Sequence, residues 1–213
     1  MSQRWVSSTA RASLLIQVIS GIANVVLVAL SNNIGSDLQI ILALDTIAQF
    51  IEFVYYVVAV CYMKDGIRTW TRYFDWFFST PMMLITMGMF FRYRDEHDVE
   101  TALSHPYMVL SLLSNALMLL FGFGAEIGQL SRTNGLFGGS IAYIATFTFL
   151  SILIPPNDYL CIGLFTFTTV VWGLYGVAFI FSFTVRNVAY NLLDIFSKNV
   201  FGLFLAAYII FGI

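Results

Sequence analysis

The residues best placed to do chemistry lie at positions 192–199, Leu-Leu-Asp-Ile-Phe-Ser-Lys-Asn, inside an apolar run over residues 188–213. A run of this length can cross a bilayer as a helix, which takes about 20 residues. Lys198 stands near its middle, where a charged amine is costly. Asp194 comes one helical turn earlier on the same face. The pair predicts either a structural ion pair or a desolvated amine that forms a Schiff base with a carbonyl compound.

The composition of the chain indicates a membrane protein. Of 213 residues, 59% are hydrophobic and only 10% are charged, which excludes an ordinary soluble domain and predicts several helices in a lipid bilayer. The net charge of −2 says little about partners, and we expect none among nucleic acids. Cys61 and Cys161 fall in different apolar segments without a metal-binding motif, so neither a disulfide nor a metal site is predicted.

Polar stretches divide the chain into seven apolar segments, which we name helices 1 to 7. They cover about residues 9–30, 37–62, 70–91, 106–130, 136–154, 159–183 and 188–213. Each is long enough to cross the bilayer at about 1.5 Å per residue, although the fifth is short. In lipid only helices and closed barrels satisfy the backbone, and these runs do not alternate in polarity. We therefore predict an all-α membrane protein, a single seven-helix domain over residues 1–213.

Polar side chains recur at helical spacing inside helices 1 and 2. The positions are Ser13, Gln17, Ser20 and Asn24 in helix 1, and Asp45, Glu52 and Tyr56 in helix 2. Intramembrane ionisable groups usually face the bundle interior or a water-filled cavity. Two dry, ionised carboxylates on one face would repel, so we expect Asp45 or Glu52 to be protonated or hydrated. For helix 1, the alternative is that its amides and hydroxyls only join helices.

Helix 6 carries an aromatic stripe of Trp172, Tyr175 and Phe179 at i, i+3 and i+7, and helix 3 carries Trp76. By itself such a stripe is more typical of a bundle core than of a cofactor site. Beside a reactive lysine, it is also what a long, flat, conjugated aldehyde would require.

Two motifs resemble those of the microbial rhodopsins. Residues 72–81, RYFDWFFSTP, are similar to the third-helix signature of that family, and residues 194–198, DIFSK, are similar to its seventh-helix signature. Residues 172–175, WGLY, resemble its sixth-helix pocket motif, although Gly176 stands where many members have proline. The helix count and order resemble the family over the whole chain. The resemblance implies a light-sensitive protein, not an enzyme, that carries all-trans retinal on Lys198 as a protonated Schiff base.

The resemblance also implies roles for individual residues. Asp75 would be the primary counterion and Asp194 the second, with Arg72, Ser79 and Tyr56 close to the Schiff base. The implied retinal pocket consists of Trp76, Thr80, Met83, Met118, Gly122, Trp172, Tyr175 and Phe179.

The resemblance leaves three functions open, namely a light-driven proton pump, a light-gated channel and a light sensor. The residues favour the channel. Thr86 stands where outward proton pumps of the family have a carboxylate, and residues 183–187 lack the paired carboxylates of an outer release group. Glu52 resembles the central-gate carboxylate of channelrhodopsins. The predicted path for protons, Na⁺ or K⁺ consists of Ser13, Gln17, Ser20, Asn24, Asp45, Glu52 and Asn199. The compact chain is most similar to the rhodopsins of giant algal viruses, among them a channel-forming group.

The family places the N-terminus outside, and we expect the same here. Basic residues oppose this orientation, because six would lie outside and two inside, the reverse of the usual tendency. The outer set is Arg4, Arg11, Lys64, Arg68, Arg132 and Arg186, and the inner set is Arg92 and Arg94. Small residues on helix surfaces permit a homo-oligomer without specifying one.

Overall fold

The computed structural model describes residues 3–30, 35–62, 68–97 and 99–211, which form helices and no strands. Helices 1 to 6 are Gln3–Leu30, Ser36–Tyr62, Arg72–Glu96, Pro106–Glu126, Arg132–Ser151 and Tyr159–Ile180. Helix 7 consists of an α-helix Phe183–Asp194, a π-helical turn Ile195–Asn199 and an α-helix Val200–Phe211. Two short helices, Thr69–Thr71 and Glu100–Ser104, precede helices 3 and 4. The prediction of an all-α, seven-helix membrane protein is confirmed, and the last two residues of the predicted helix 7 lie outside the described residues.

The helices form a closed bundle. Each helix packs against the next in sequence, and the first part of helix 7 packs against helix 1. Helix 7 also contacts helices 2 and 6. Because helix 7 touches neighbours from both ends of the chain, its side chains can meet polar residues from all of them.

The polar residues of the membrane-spanning helices face the inside of the bundle, where an apolar core also packs, and the outer surface is mostly apolar. In helix 1, Ser13 is fully buried, whereas Leu15 and Ile19 on the opposite face are each 62% exposed. Helices 1, 2, 4 and 6 contain stretches long and apolar enough to cross a membrane, namely Arg4–Ala29, Ser36–Tyr62, Pro106–Glu126 and Tyr159–Ile180. The arrangement therefore collects the polar rows at the centre of the bundle.

The predicted boundary between helices 4 and 5 is wrong by about four residues. Helix 4 ends at Glu126, close to Gly128 with its positive φ of 81°, and helix 5 already begins at Arg132. The side chain of Ser131 caps helix 5 by accepting a hydrogen bond from the backbone N–H of Asn134, at 3.1 Å. Residues that we assigned to the end of a loop are therefore the first turn of helix 5.

The predicted start of helix 7 at residue 188 is also wrong. The helix begins at Phe183, so residues 183–187 are helical and do not form a separate connection. Arg186 and Asn187 consequently lie inside the bundle, 7% and 0% exposed. Helix 6 ends correspondingly earlier, at Ile180.

A cluster at the other end of helix 6 joins helices 3, 6 and 7. The Oδ1 atom of Asp158 accepts hydrogen bonds from the backbone N–H groups of Leu160 and Cys161, and its Oδ2 atom accepts one from Arg94 Nε at 2.7 Å. Arg94 also donates to the hydroxyl of Tyr208 at 3.2 Å. Desolvation alone would raise the pKa of the Asp158 carboxyl, but the bonds from Arg94 and the two amides outweigh it and lower this pKa.

Candidate functional site

Lys198 lies in the π-helical turn of helix 7, 2% exposed, and its amine faces two carboxylates. The Nζ atom is 2.7 Å from Oδ2 of Asp75 on helix 3 and 3.6 Å from Oε1 of Glu52 on helix 2. Ser79, one turn after Asp75, is fully buried. A lysine so far from water needs a carboxylate partner, and here two helices each supply one.

Asp194 does not pair with Lys198, although an α-helix would place both on one face. It forms an ion pair with Arg72, with Nη1 and Oδ2 3.1 Å apart. It also accepts hydrogen bonds from the hydroxyls of Tyr56 at 2.6 Å and Tyr175 at 2.7 Å. Helix 3 supplies both opposite charges, because Arg72 and Asp75 lie one turn apart on it and pair with Asp194 and Lys198 respectively.

Arg72 is fully buried and joins helices 2, 3 and 7. Besides Asp194, it donates to the hydroxyl of Tyr56 at 3.2 Å and to the side-chain oxygens of Asn187 and Asn191. Sequence reasoning missed Asn187, because it was assigned to an interhelical connection. Its spacing from Asn191 and Asp194, i, i+4 and i+7, is the signal that could have found it.

The buried centre holds two cations and three carboxylates. The cations are Lys198 and Arg72, and the carboxylates are Asp75, Glu52 and Asp194. Both carboxyl oxygens of Glu52 are buried and have no hydrogen-bond partner. Since uncompensated buried charge is costly, Glu52 is the carboxyl group that the surroundings stabilise least in its ionised form.

A cavity of about 400 Å³ adjoins Lys198 and is lined mostly by apolar and aromatic side chains. All eight predicted pocket residues line it: Trp76, Thr80, Met83, Met118, Gly122, Trp172, Tyr175 and Phe179. Sequence reasoning missed several more lining residues, namely Tyr73, Tyr143, Tyr190, Ser197, Gly135 and Gly139. The volume falls within the range of about 300–1,000 Å³ for small-molecule sites.

The cavity has defined walls on helices 3, 4 and 6. The rings of Trp76 and Tyr175 meet edge to face, with centroids 5.4 Å apart. Thr80 accepts a hydrogen bond from the amide of Asn115 at 2.9 Å. At Gly122 an added Cβ would lie 2.4 Å from the hydroxyl oxygen of Tyr73, so a larger residue there would have to displace the Tyr73 ring. These contacts position the aromatic residues around an apolar space that ends at an amine.

The structure divides the predicted polar row of helices 1, 2 and 7 into two groups. In the first, the amide of Gln17 donates to Ser13 Oγ at 3.2 Å, and Ser20 donates to the side-chain oxygen of Asn199. In the second, Asp45 accepts hydrogen bonds from Asn24 and from Gln49. Glu52 bonds to neither group. Gln49 was missed, although it lies one turn after Asp45 on the same face.

Residues 8–211 match the sequence profile of the bacteriorhodopsin-like protein family. The chain belongs to this family of rhodopsins. Members normally bind retinal and act as light-driven ion transporters or photoreceptors of the membrane. The rhodopsin family therefore accounts for a buried lysine beside an apolar cavity. A search of curated proteins found no match.

Solved rhodopsin structures share the fold over nearly the whole chain. The viral rhodopsin OLPVRII has a TM-score of 0.88 and 24% identity, covering 95% of this chain and 96% of the other. The blue light-absorbing proteorhodopsin from Med12 has a TM-score of 0.75 and 19% identity, covering 96% of each chain. The light-driven proton pump LR (Mac) from Leptosphaeria maculans has a TM-score of 0.74 and 16% identity, covering 97% and 96%.

Replacing Arg72 with alanine should destabilise this rhodopsin strongly, by about 3–5 kcal/mol, because Asp194 would keep a buried, uncompensated charge. The matched control is Arg92→Ala, which removes an arginine whose partners Asp95 and Glu96 are near the surface and should cost at most about 1 kcal/mol. Thermal unfolding of both variants in the same detergent measures the difference. Equal losses would show that Arg72 does not stabilise the centre.

Proposed function

We propose that this rhodopsin is a photoreceptor that binds all-trans retinal on Lys198 and acts as a light-gated cation channel. The observation that carries the first part is the buried Lys198–Asp75 pair, at 2.7 Å, in the wall of a cavity of about 400 Å³. A mostly apolar cavity with one amine fits a conjugated aldehyde, and a nearby carboxylate stabilises the positive charge that remains on the nitrogen.

Retinal, when joined to Lys198 as a protonated Schiff base, supplies light absorption and isomerisation. Asp75 lies close enough to accept the proton held at the nitrogen of Lys198. Asp194 is already bound by Arg72, Tyr56 and Tyr175, so it acts through the field of this group and not as a direct acceptor. In this division of roles, Asp75 is the counterion in contact and Asp194 the more distant one.

The channel proposal is supported by the buried polar residues of helices 1, 2 and 7. The two groups at Ser20–Asn199 and Asp45–Asn24 lie along one side of the bundle, and Glu52 on helix 2 faces Lys198. Carboxylates raise the local concentration of cations, and amides and hydroxyls replace water as ligands. A row of this kind is more than helix packing needs, because several of its buried oxygens have no hydrogen-bond donor.

Glu52 provides the link between light and conduction. With Lys198 positively charged and paired to Asp75, a proton on Glu52 makes the centre neutral and leaves no charge to attract cations. When the proton on Lys198 moves to Asp75, Glu52 loses the positive charge 3.6 Å away. Ionisation of Glu52 in this state therefore requires water to enter the centre and take up its proton, and the hydrated carboxylate would then attract cations along helix 2.

The alternative is a light-driven proton pump. Thr86 cannot return a proton and donates its own hydroxyl hydrogen to the carbonyl of Met82, at 2.7 Å. Asp45 of helix 2 is a buried carboxyl group, and in a pump it would have to return the proton to the nitrogen of Lys198 in place of Thr86. A sensory rhodopsin that signals through a partner is a third possibility.

Replacing Lys198 with alanine should abolish visible absorbance when retinal is supplied, because no amine remains to bind it. The absorption spectrum of the purified protein measures this. Retinylamine, which brings its own nitrogen, serves as the control for an intact cavity and should restore colour. Colour without it would end the assignment of Lys198.

Whole-cell photocurrents at stepped voltages, with external cations exchanged, test the channel. A reversal potential that follows the cation gradient supports a channel, and a current of one sign at every voltage supports a pump. No current together with a long-lived photoproduct supports a sensor.

The same photocurrent recordings test whether Glu52 is part of the gate. Glu52→Gln keeps the size of the side chain but cannot ionise, so it should shift the reversal potential or reduce the conductance. Pigment should still form, because Asp75 still pairs with Lys198. Wild-type currents in this variant would remove Glu52 from the gate.

We also propose that the N-terminus lies outside. Arg186, counted among the outer basic residues, is buried in an ion pair with Glu126. Nη1 of Arg186 lies 2.9 Å from Oε1 of Glu126. This pair weakens the charge bias against the family orientation, and Lys64 lies outside the described residues. Protease in right-side-out vesicles should then leave the connection between helices 3 and 4 intact, and should cleave it once the vesicles are opened. Cleavage in sealed vesicles would show the inverted orientation.

A further inference from the structure

We propose that Asp45, Asn24 and Gln49 form a binding site for a partly dehydrated Na⁺ ion, and that Gly202 of helix 7 lets these three side chains converge. The inference deepens the proposed cation path and rests on it. It assigns one point of that path as the place where the ion is bound and selected.

The site is a single carboxylate held by two amides. Oδ2 of Asp45 accepts a hydrogen bond from Asn24 Nδ2 at 3.0 Å and from Gln49 Nε2 at 2.7 Å. Asp45, Asn24 and Gln49 are 1%, 0% and 2% exposed. Such a carboxylate has no cation partner among the described residues, and the two amide donors compensate its charge only partly.

Each amide also has an acceptor that is not used. The side-chain oxygens of Asn24 and Gln49 are buried and have no hydrogen-bond partner. A buried acceptor without a donor is unfavourable, and a cation would satisfy it. Rotating each amide by half a turn exchanges its N–H₂ and oxygen. The same three side chains can then present a carboxylate oxygen and two amide oxygens to one ion.

Gly202 lets the ends of the three side chains pack directly against the backbone of helix 7. An added Cβ would lie 2.0 Å from Gln49 Nε2, 2.5 Å from Asp45 Oδ2 and 2.8 Å from Asn24 Nδ2. A larger residue at position 202 would therefore require the ends of these three side chains to shift. Gly202 follows Lys198 by four residues, one turn along helix 7, so the site is close to the amine that responds to light.

The ligand set favours a monovalent ion. One carboxylate neutralises one positive charge, and the other oxygens are neutral amides. Divalent ions such as Ca²⁺ take six to eight oxygen ligands, with several carboxylates. The described residues contain no group of three or more His, Cys, Asp and Glu side chains that could bind a metal. Oxygen ligands that replace part of the hydration shell are how pores select among small cations.

The spacing of residues along helix 2 connects the proposed Na⁺ site to Glu52, the proposed gate. Asp45, Gln49 and Glu52 follow one another at i, i+4 and i+7, on one face, so Asp45 and Glu52 are about 10 Å apart along the axis. An ion at Asp45 is therefore separated from Lys198 by Glu52, whose ionisation would decide whether it can advance.

Infrared difference spectroscopy in the dark tests the site without requiring conduction. The full retinal-loaded protein is placed in nanodiscs, and N-methyl-D-glucamine is exchanged for Na⁺ at constant pH and ionic strength. We expect a saturable shift of a carboxylate stretching band. It should be lost in Asp45→Asn and in Gly202→Ala, and weakened in Gln49→Met. The matched glycine control is Gly163→Ala in helix 6, where an added Cβ meets nothing within 4 Å, and its shift should equal that of the wild type.

Several outcomes would overturn the proposal. A Na⁺-dependent shift that persists in Asp45→Asn would place the ion elsewhere. If Asp45→Asn fails to form pigment, an unchanged affinity for Na⁺ in Gln49→Met and Gly202→Ala would likewise show that the ion binds elsewhere. A band that responds to pH and not to Na⁺ would make Asp45 a proton carrier.

Photocurrents separate this proposal from the channel. A Na⁺ response without any passive photocurrent would keep the site and reject the channel. Photocurrents carried by Na⁺ without a dark Na⁺ response would keep the channel and reject the site.

Discussion

Two buried positive charges determine how the interior of this rhodopsin is built. Lys198 and Arg72 are both almost completely buried, and each needs a carboxylate within a few ångströms. Asp75 and Asp194 meet this need, and Tyr56 and Tyr175 supply hydrogen bonds to Asp194. Because the partners come from helices 2, 3, 6 and 7, neutralising the charges also joins the helices. The same ion pairs and hydrogen bonds therefore hold the helices together and neutralise the charges at the centre of the bundle.

The centre contains two ion pairs, and both run between helices 3 and 7. Asp194 and Lys198 lie one turn apart in helix 7, so a pair within that helix could have neutralised both charges. Instead Lys198 pairs with Asp75 and Asp194 pairs with Arg72. A lysine paired across helices has a partner whose distance changes when either helix or the attached group moves. This geometry suits a light-driven change better than a pair within one helix does.

The interior has two sides that meet at Lys198. Helices 3 to 6 enclose the apolar cavity, whose residues are aromatic, small or flexible. Helices 1, 2 and 7 contain the polar row, whose unpartnered oxygens we interpret as ion ligands. Glu52 is the residue that connects the sides, since it faces Lys198 and continues the row along helix 2. The proposed coupling between light and cations follows from this position.

The sequence predicted the helix count, the membrane setting and a buried lysine, because these depend on hydrophobic length and on the cost of charge in lipid. Its resemblance to a known family, through local motifs, predicted the residues that line the cavity. The sequence did not determine the partner of Asp194, the lack of a hydrogen bond from Glu52 to Ser20 or Asn199, or the contacts of Asn187 and Gln49. These depend on which charges of helix 3 face helix 7, on where helix 7 starts and on glycines such as Gly202 that let side chains converge. Spacing identifies a helix face, but only the packed bundle decides which face it meets, since that choice depends on small rotations that local sequence does not encode.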